Sequence, residues 1–98
     1  MRNVVWSVRA LDDLALALDY IAEDSELNAD LVADRIDATA RSLGHMPIGR
    51  PGRVHGMYEK SVNRTPYIIA YALSDRTVTV LRVIHGARDW PEGEWPAE

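Results

Sequence analysis

Tyr67-Ile68-Ile69-Ala70-Tyr71-Ala72-Leu73, then Ser74-Asp75-Arg76, then Thr77-Val78-Thr79-Val80-Leu81-Arg82-Val83-Ile84-His85 is the stretch that decides the fold. Both outer runs are dense in β-branched and aromatic residues, which fit a pleated, half-buried surface. The short polar turn between them leaves room only for an antiparallel hairpin. The run from Thr77 to His85 is the most β-branched in the chain and reads as a central strand. Immediately upstream, Met57 to Val62 reads as a further strand.

Working outward, the amino-terminal half changes period. Asn3 to Val8 alternates, with Val4, Trp6 and Val8 on one side, and predicts a short first strand on which Trp6 is core. From about Ala10, Leu11, Leu14, Ala15, Leu18 and Ile21 fall at helical spacing, and Asp12, Asp13 and Asp19 are expected on the other side. Ser25 is a candidate N-cap for a second helix, because its hydroxyl can accept a free N–H of the first turn. Its apolar stripe is Ala29, Val32, Ala33, Ile36, Ala40 and Leu43, and Gly44 is expected to end it. So short a link makes the two helices an antiparallel hairpin. The segment from His45 to Gly56 holds two prolines and three glycines and is expected to be an irregular loop. The predicted order is β-α-α-β-β-β, an α+β fold in which a helical hairpin packs on one face of a mostly antiparallel four-stranded sheet. Residues 1–98 make one domain, and residues 86–98, with Trp90-Pro91 and Trp95-Pro96, form an irregular tail.

The chain has no cysteine, which removes disulfide and thiolate chemistry and suits a reducing compartment. The apolar stretch Val4 to Trp6 is too short for a signal peptide or a membrane span, so a cytoplasmic protein with no membrane partner is expected. The net charge of −4 is unevenly spread. Residues 1–44 carry four basic against nine acidic side chains, whereas residues 45–88 carry seven against two. A basic middle of this kind suits an acidic partner, while the acidic flanks repel nucleic acid. The candidate partner-binding residues are therefore Arg50, Arg53, Lys60, Arg82 and Arg88, with Trp90 as an aromatic anchor. His45, His55 and His85 show no ligand spacing, so no metal and no cofactor are expected. The Gly49-Arg50-Pro51-Gly52-Arg53 loop lacks the pattern of a phosphate-binding loop and follows a helix rather than a strand.

Five stretches, in this order, carry a resemblance: VVWSVRALDDLALALDYIAEDS (4–25), PIGRPGRVHG (47–56) running into MYEKSV (57–62), PYIIAYAL (66–73) and VLRVIHGARDWP (80–91). Together they resemble the RelE/ParE toxin superfamily of type II toxin–antitoxin systems, from about Trp6 to Pro91. The resemblance implies a toxin held inactive by a cognate antitoxin in a hetero-oligomer. It also implies one of two activities: inhibition of DNA gyrase without catalysis, or cleavage of messenger RNA on the ribosome. RelE-like nucleases resemble one another in an arginine just after the aromatic that opens the third strand, where this sequence has Ile68 after Tyr67. Metal-independent RNA cleavage needs a base, an acid and cations for the phosphate. The only set on offer is Glu59 as base, His85 as acid and Arg82 as clamp. Three-residue spacing sends Arg82 and His85 to opposite faces of an unbent strand. The residues therefore favour the ParE-like branch, a gyrase inhibitor that is not an enzyme. The alternatives are a RelE-type ribosome-dependent endoribonuclease and a degenerate, non-toxic member serving as antitoxin partner and co-repressor.

Overall fold

The computed structural model describes residues 1–46, 49–51 and 56–86. Its elements are β1 (Asn3–Trp6), α1 (Val8–Ala22), α2 (Glu26–His45), β2 (Arg50–Pro51), β3 (Tyr58–Ser61), β4 (Tyr67–Leu73) and β5 (Thr77–His85). They form one sheet in the order β1-β5-β4-β3-β2, with β1 parallel to β5 and every other pair antiparallel. The α+β order predicted from the sequence is the observed one, and the hairpin of β4 and β5 has the expected bounds. The loop reading of 45–56 needs a correction. Arg50 and Pro51 pair with Glu59 and Tyr58 and add a two-residue fifth strand. Proline is tolerated there because an edge strand leaves one side of its backbone without ladder bonds.

Ser7 explains why β1 stops two residues short of the predicted end. Its hydroxyl accepts from Ala10 N–H at 3.0 Å, capping α1, and donates to Leu81 C=O at 3.0 Å. Its own N–H reaches Val80 C=O at 2.9 Å. One side chain thus ends the strand, starts the helix and ties both to β5, and Val8 is left exposed in the first helical turn.

The core lies between the helical hairpin and one face of the sheet. It gathers Ala10, Val32, Ile36, Ala40 and Leu43 from the helices with Ile69, Tyr71, Val78 and Val80 from the strands, and Trp6 packs against it. On α2 the predicted stripe is the buried one, with Ala33 at its half-buried margin. On α1 the register differs: Ala10 is buried and Leu14, Ala17, Leu18 and Ile21 pack inward, while Leu11 and Ala15 are exposed.

Gly44 does not terminate α2, which runs on to His45. Its value is close approach. A Cβ at this position would stand 2.7 Å from Arg2 O and 3.0 Å from Val4 Cγ2, while Gly44 O accepts from Arg2 N–H at 2.8 Å. Backbone cannot yield as a flexible side chain does, so Gly44→Ala is expected to cost about 1–3 kcal/mol by overpacking. Urea denaturation would read this as a lower midpoint, and an unchanged midpoint would mean that α2 and β1 can separate freely.

Candidate partner-binding site

The site candidates are set by what happens halfway along β5. Up to Val80 the strand is bonded to β1, and beyond that β1 has turned into α1. Register against β4 also slips here: Ala70 pairs with Arg82 and Tyr71 with Val80, so Leu81 is an extra residue. Such a bulge shifts the alternation by one. Val78 and Val80 face the helices before it and Val83 after it, whereas strict alternation would have turned Arg82 inward.

The open edge of β5 is closed by Asp13. Its carboxylate accepts from Arg82 Nε at 2.7 Å and Nη2 at 3.0 Å, and from Val83 N–H at 3.0 Å. Side-chain exposure is 10% for Arg82 and 13% for Asp13, so the pair is nearly dry. Asp13 was expected among the outward acids of α1. It faces the sheet because a strand edge left without a neighbour needs an acceptor for its N–H, and a guanidinium needs a counter-charge. Nη1 of Arg82 is buried without a hydrogen-bond partner.

Register arranges the remaining candidates. Glu59, Ala70 and Arg82 lie in one row across β3, β4 and β5. Alternation puts that row on the face away from the helices, since Ile69 and Tyr71 belong to the core. Glu59 and Arg82 are both buried. His85 stands opposite Tyr67 on the helix-facing side, its ring edge-on to the tyrosine with centroids 5.5 Å apart. Ile68, at the position where the nucleases carry arginine, is buried and pairs with Ile84. Lys60 is half-buried opposite Ile69. The backbone of Arg50 stands opposite Glu59, while Arg53, Arg88 and Trp90 fall outside the described residues. Tyr71, fully buried and stacked on Tyr58 at 5.7 Å, has its hydroxyl pKa pushed up by burial, with a backbone hydrogen bond at Gly49 opposing the shift. Among the described residues no three His, Asp or Glu side chains come together as a metal site. No described helix is long and apolar enough to cross a membrane.

A second feature escaped the sequence reading. A cavity of about 510 Å³ opens between the hairpin and the β3–β4 turn, lined by Leu16, Tyr20, Arg35, Arg64, Tyr67 and His85 among others. Its one sequence signal is the pair Asn63-Arg64 in a tight turn, where Thr65 N–H bonds Val62 C=O at 3.2 Å.

Comparison with known proteins decides the family. Residues 4–90 match the family model described as the ParE toxin of type II toxin–antitoxin system, parDE. The chain belongs to the ParE toxin family. Among curated relatives it is 36% identical over 92 residues to "Putative toxin Y4kP" of Sinorhizobium fredii, covering 93% of this chain and 95% of the relative. It is 38% identical over 89 residues to "Toxin RelE2" of Caulobacter vibrioides, covering 90% of this chain and 99% of the relative. Its fold is similar to a chain of the chromosomal ParDE TA system from P. aeruginosa, with a TM-score of 0.79 at 21% identity. That match covers 87% of this chain and 96% of the other. YafQ from E. coli follows with a TM-score of 0.50 at 17% identity, covering 89% and 96%. This ParE-family chain is thus the toxin of a type II toxin–antitoxin system, and membership implies a cognate antitoxin.

Proposed function

We propose that this toxin acts by binding, with DNA gyrase as its target, and that its antitoxin silences it by occupying its surface. The observation that carries this reading is the dispersal of the nuclease candidates. Glu59 and Arg82 share one face of the sheet and His85 belongs to the other. A base and an acid must both lie within hydrogen-bond reach of one phosphodiester, about 2.6–3.2 Å or one water away, and a sheet between them forbids that. The phosphate-neutralising position is Ile68, and Arg82 already spends two donors on Asp13. The net charge of −4 also gives little of the phosphate attraction on which RNA binding depends.

Induction of the chain alone is expected to arrest growth of a bacterial host, and co-expression of the neighbouring antitoxin gene should restore it. Purified protein should inhibit supercoiling by gyrase or trap its cleavage complex, and leave ribosome-bound messenger RNA intact. Codon-positioned cleavage in a translating extract, abolished by Glu59→Gln or His85→Gln, would overturn the assignment and make the chain an enzyme.

A further inference from the structure

We infer that Arg35 of α2 and Arg64 of the β3–β4 turn form a binding site for the phosphate group of a small phosphorylated molecule. This role is separate from the contacts with target and antitoxin. The site is a cleft of about 310 Å³ whose described lining comes from α2 and the turn: Arg35, Ala38, Thr39, Asn63 and Arg64.

The two guanidiniums lack a counter-charge. Among the described residues neither forms an ion pair or a hydrogen bond. The sequence explains why. The helical neighbours of Arg35 at three and four positions are Leu31, Val32, Ala38 and Thr39, none of them acidic. Arg41 on the same helix is the contrast, since Asp37 stands one turn before it and the two pair at 2.9 Å. The turn from Ser61 to Pro66 holds no acid either. This chain has fifteen acidic against eleven basic side chains, yet its fold brings two cations to one cleft and no carboxylate to meet them. An anion between them relieves their mutual repulsion.

The backbone holds Arg64 at the cleft. Its φ is 63°, and among the described residues it is the one non-glycine with positive φ. Glycine would adopt this conformation without the steric cost that a Cβ imposes. The turn is fixed by Thr65, whose N–H and Oγ1 both donate to Val62 C=O, at 3.2 and 2.9 Å. Strained positions of this kind cluster at ligand clamps.

The donor set selects phosphate over carboxylate. Thr39 Oγ1 already donates to Arg35 C=O at 2.9 Å, so its proton is committed. The exposed Asn63 amide forms no hydrogen bond among the described residues. Two planar guanidinium forks and one amide therefore remain. A carboxylate has two oxygens and saturates with one fork. A terminal phosphate has three and can accept from both arginines at once.

The test is titration of the isotope-labelled full chain with inorganic phosphate, pyrophosphate and ADP at constant ionic strength, followed by NMR. Saturable shifts should centre on the amides of Asn63 and Arg64 and on the Nε–H signals of Arg35 and Arg64. Tighter binding of ADP than of pyrophosphate would identify a phosphorylated organic molecule as the source, and equal or weaker binding a free inorganic phosphate. Arg35→Gln and Arg64→Gly should each weaken pyrophosphate binding by about tenfold, as expected when a charged hydrogen bond is lost. Melting of Arg64→Gly should stay level or rise, because the strained backbone is relieved, so its lost binding is not lost folding. Arg41→Gln should bind like the wild type. Absence of saturable shifts at the cleft, or unchanged pyrophosphate affinity in the Arg35→Gln, Arg64→Gly double variant, would overturn the site. Acetate producing the same shifts with the same affinity would overturn its assignment to phosphate.

Discussion

Asp13→Ala is expected to lower stability by about 3–5 kcal/mol, the usual cost of breaking a buried ion pair by removing one partner. Three donors lose their acceptor at once: Arg82 Nε, Arg82 Nη2 and the Val83 N–H. The guanidinium is nine-tenths buried and already has one nitrogen unpaired, so it cannot recover those bonds from water without leaving its place. A small domain has about 5–15 kcal/mol in total, so this one carboxylate can decide whether the chain stays folded. In a domain of this length each kcal/mol moves the melting temperature by about 4–8 °C, which puts the expected drop above roughly 12 °C. Asp13→Ala combined with Arg82→Met removes both charges and should recover much of the loss, because an apolar pair of similar volume is often neutral or better. If the double variant melts as low as Asp13→Ala alone, the cost lies in the Val83 N–H or in helix packing rather than in the stranded charge.

That pair also marks where the sequence was readable and where it was not. The hairpin of β4 and β5 was legible because its apolar alternation and its turn are local properties, and the α2 stripe because its period is clean. The face of α1 was not, since apolar residues surround the helix: Val8, Leu11, Leu16 and Tyr20 are all exposed while Ala10, Leu14 and Ala17 face inward. Periodicity cannot choose a face when both sides qualify. The choice is made by long-range chemistry, with Asp13 answering a residue 69 positions away. Arg82 itself was legible as a candidate and its separation from His85 followed from spacing alone. The bulge at Leu81 that turns Arg82 away from the core was not, because Val78, Val80, Leu81, Val83 and Ile84 admit either parity. The groove at Arg35 and Arg64 was invisible for a similar reason. Its walls come from α1, α2, the β3–β4 turn and the end of β5, and only tertiary packing brings them together.

Ile36→Ala is expected to cost about 2–5 kcal/mol, the range for deleting most of a large buried side chain. Ile36 is fully buried near the middle of α2, in the cluster that holds Val32, Leu43, Ile69, Tyr71 and Val78. Removing its outer carbons forfeits their transfer free energy and leaves a void. The rigid ring of Tyr71, stacked on Tyr58, is poorly placed to fill that void, which argues for the upper part of the range. Leu31 on the same helix provides the contrast. It is 44% exposed, so Leu31→Ala, although its gain in helix propensity is smaller than that of Ile36→Ala, should cost far less. Urea denaturation of both variants separates burial from propensity: the midpoint should fall strongly for Ile36→Ala with the slope unchanged, and only slightly for Leu31→Ala. Similar midpoints for the two variants would show that α2 presses a different face to the sheet, and the assignment of the core between hairpin and sheet would fall with it.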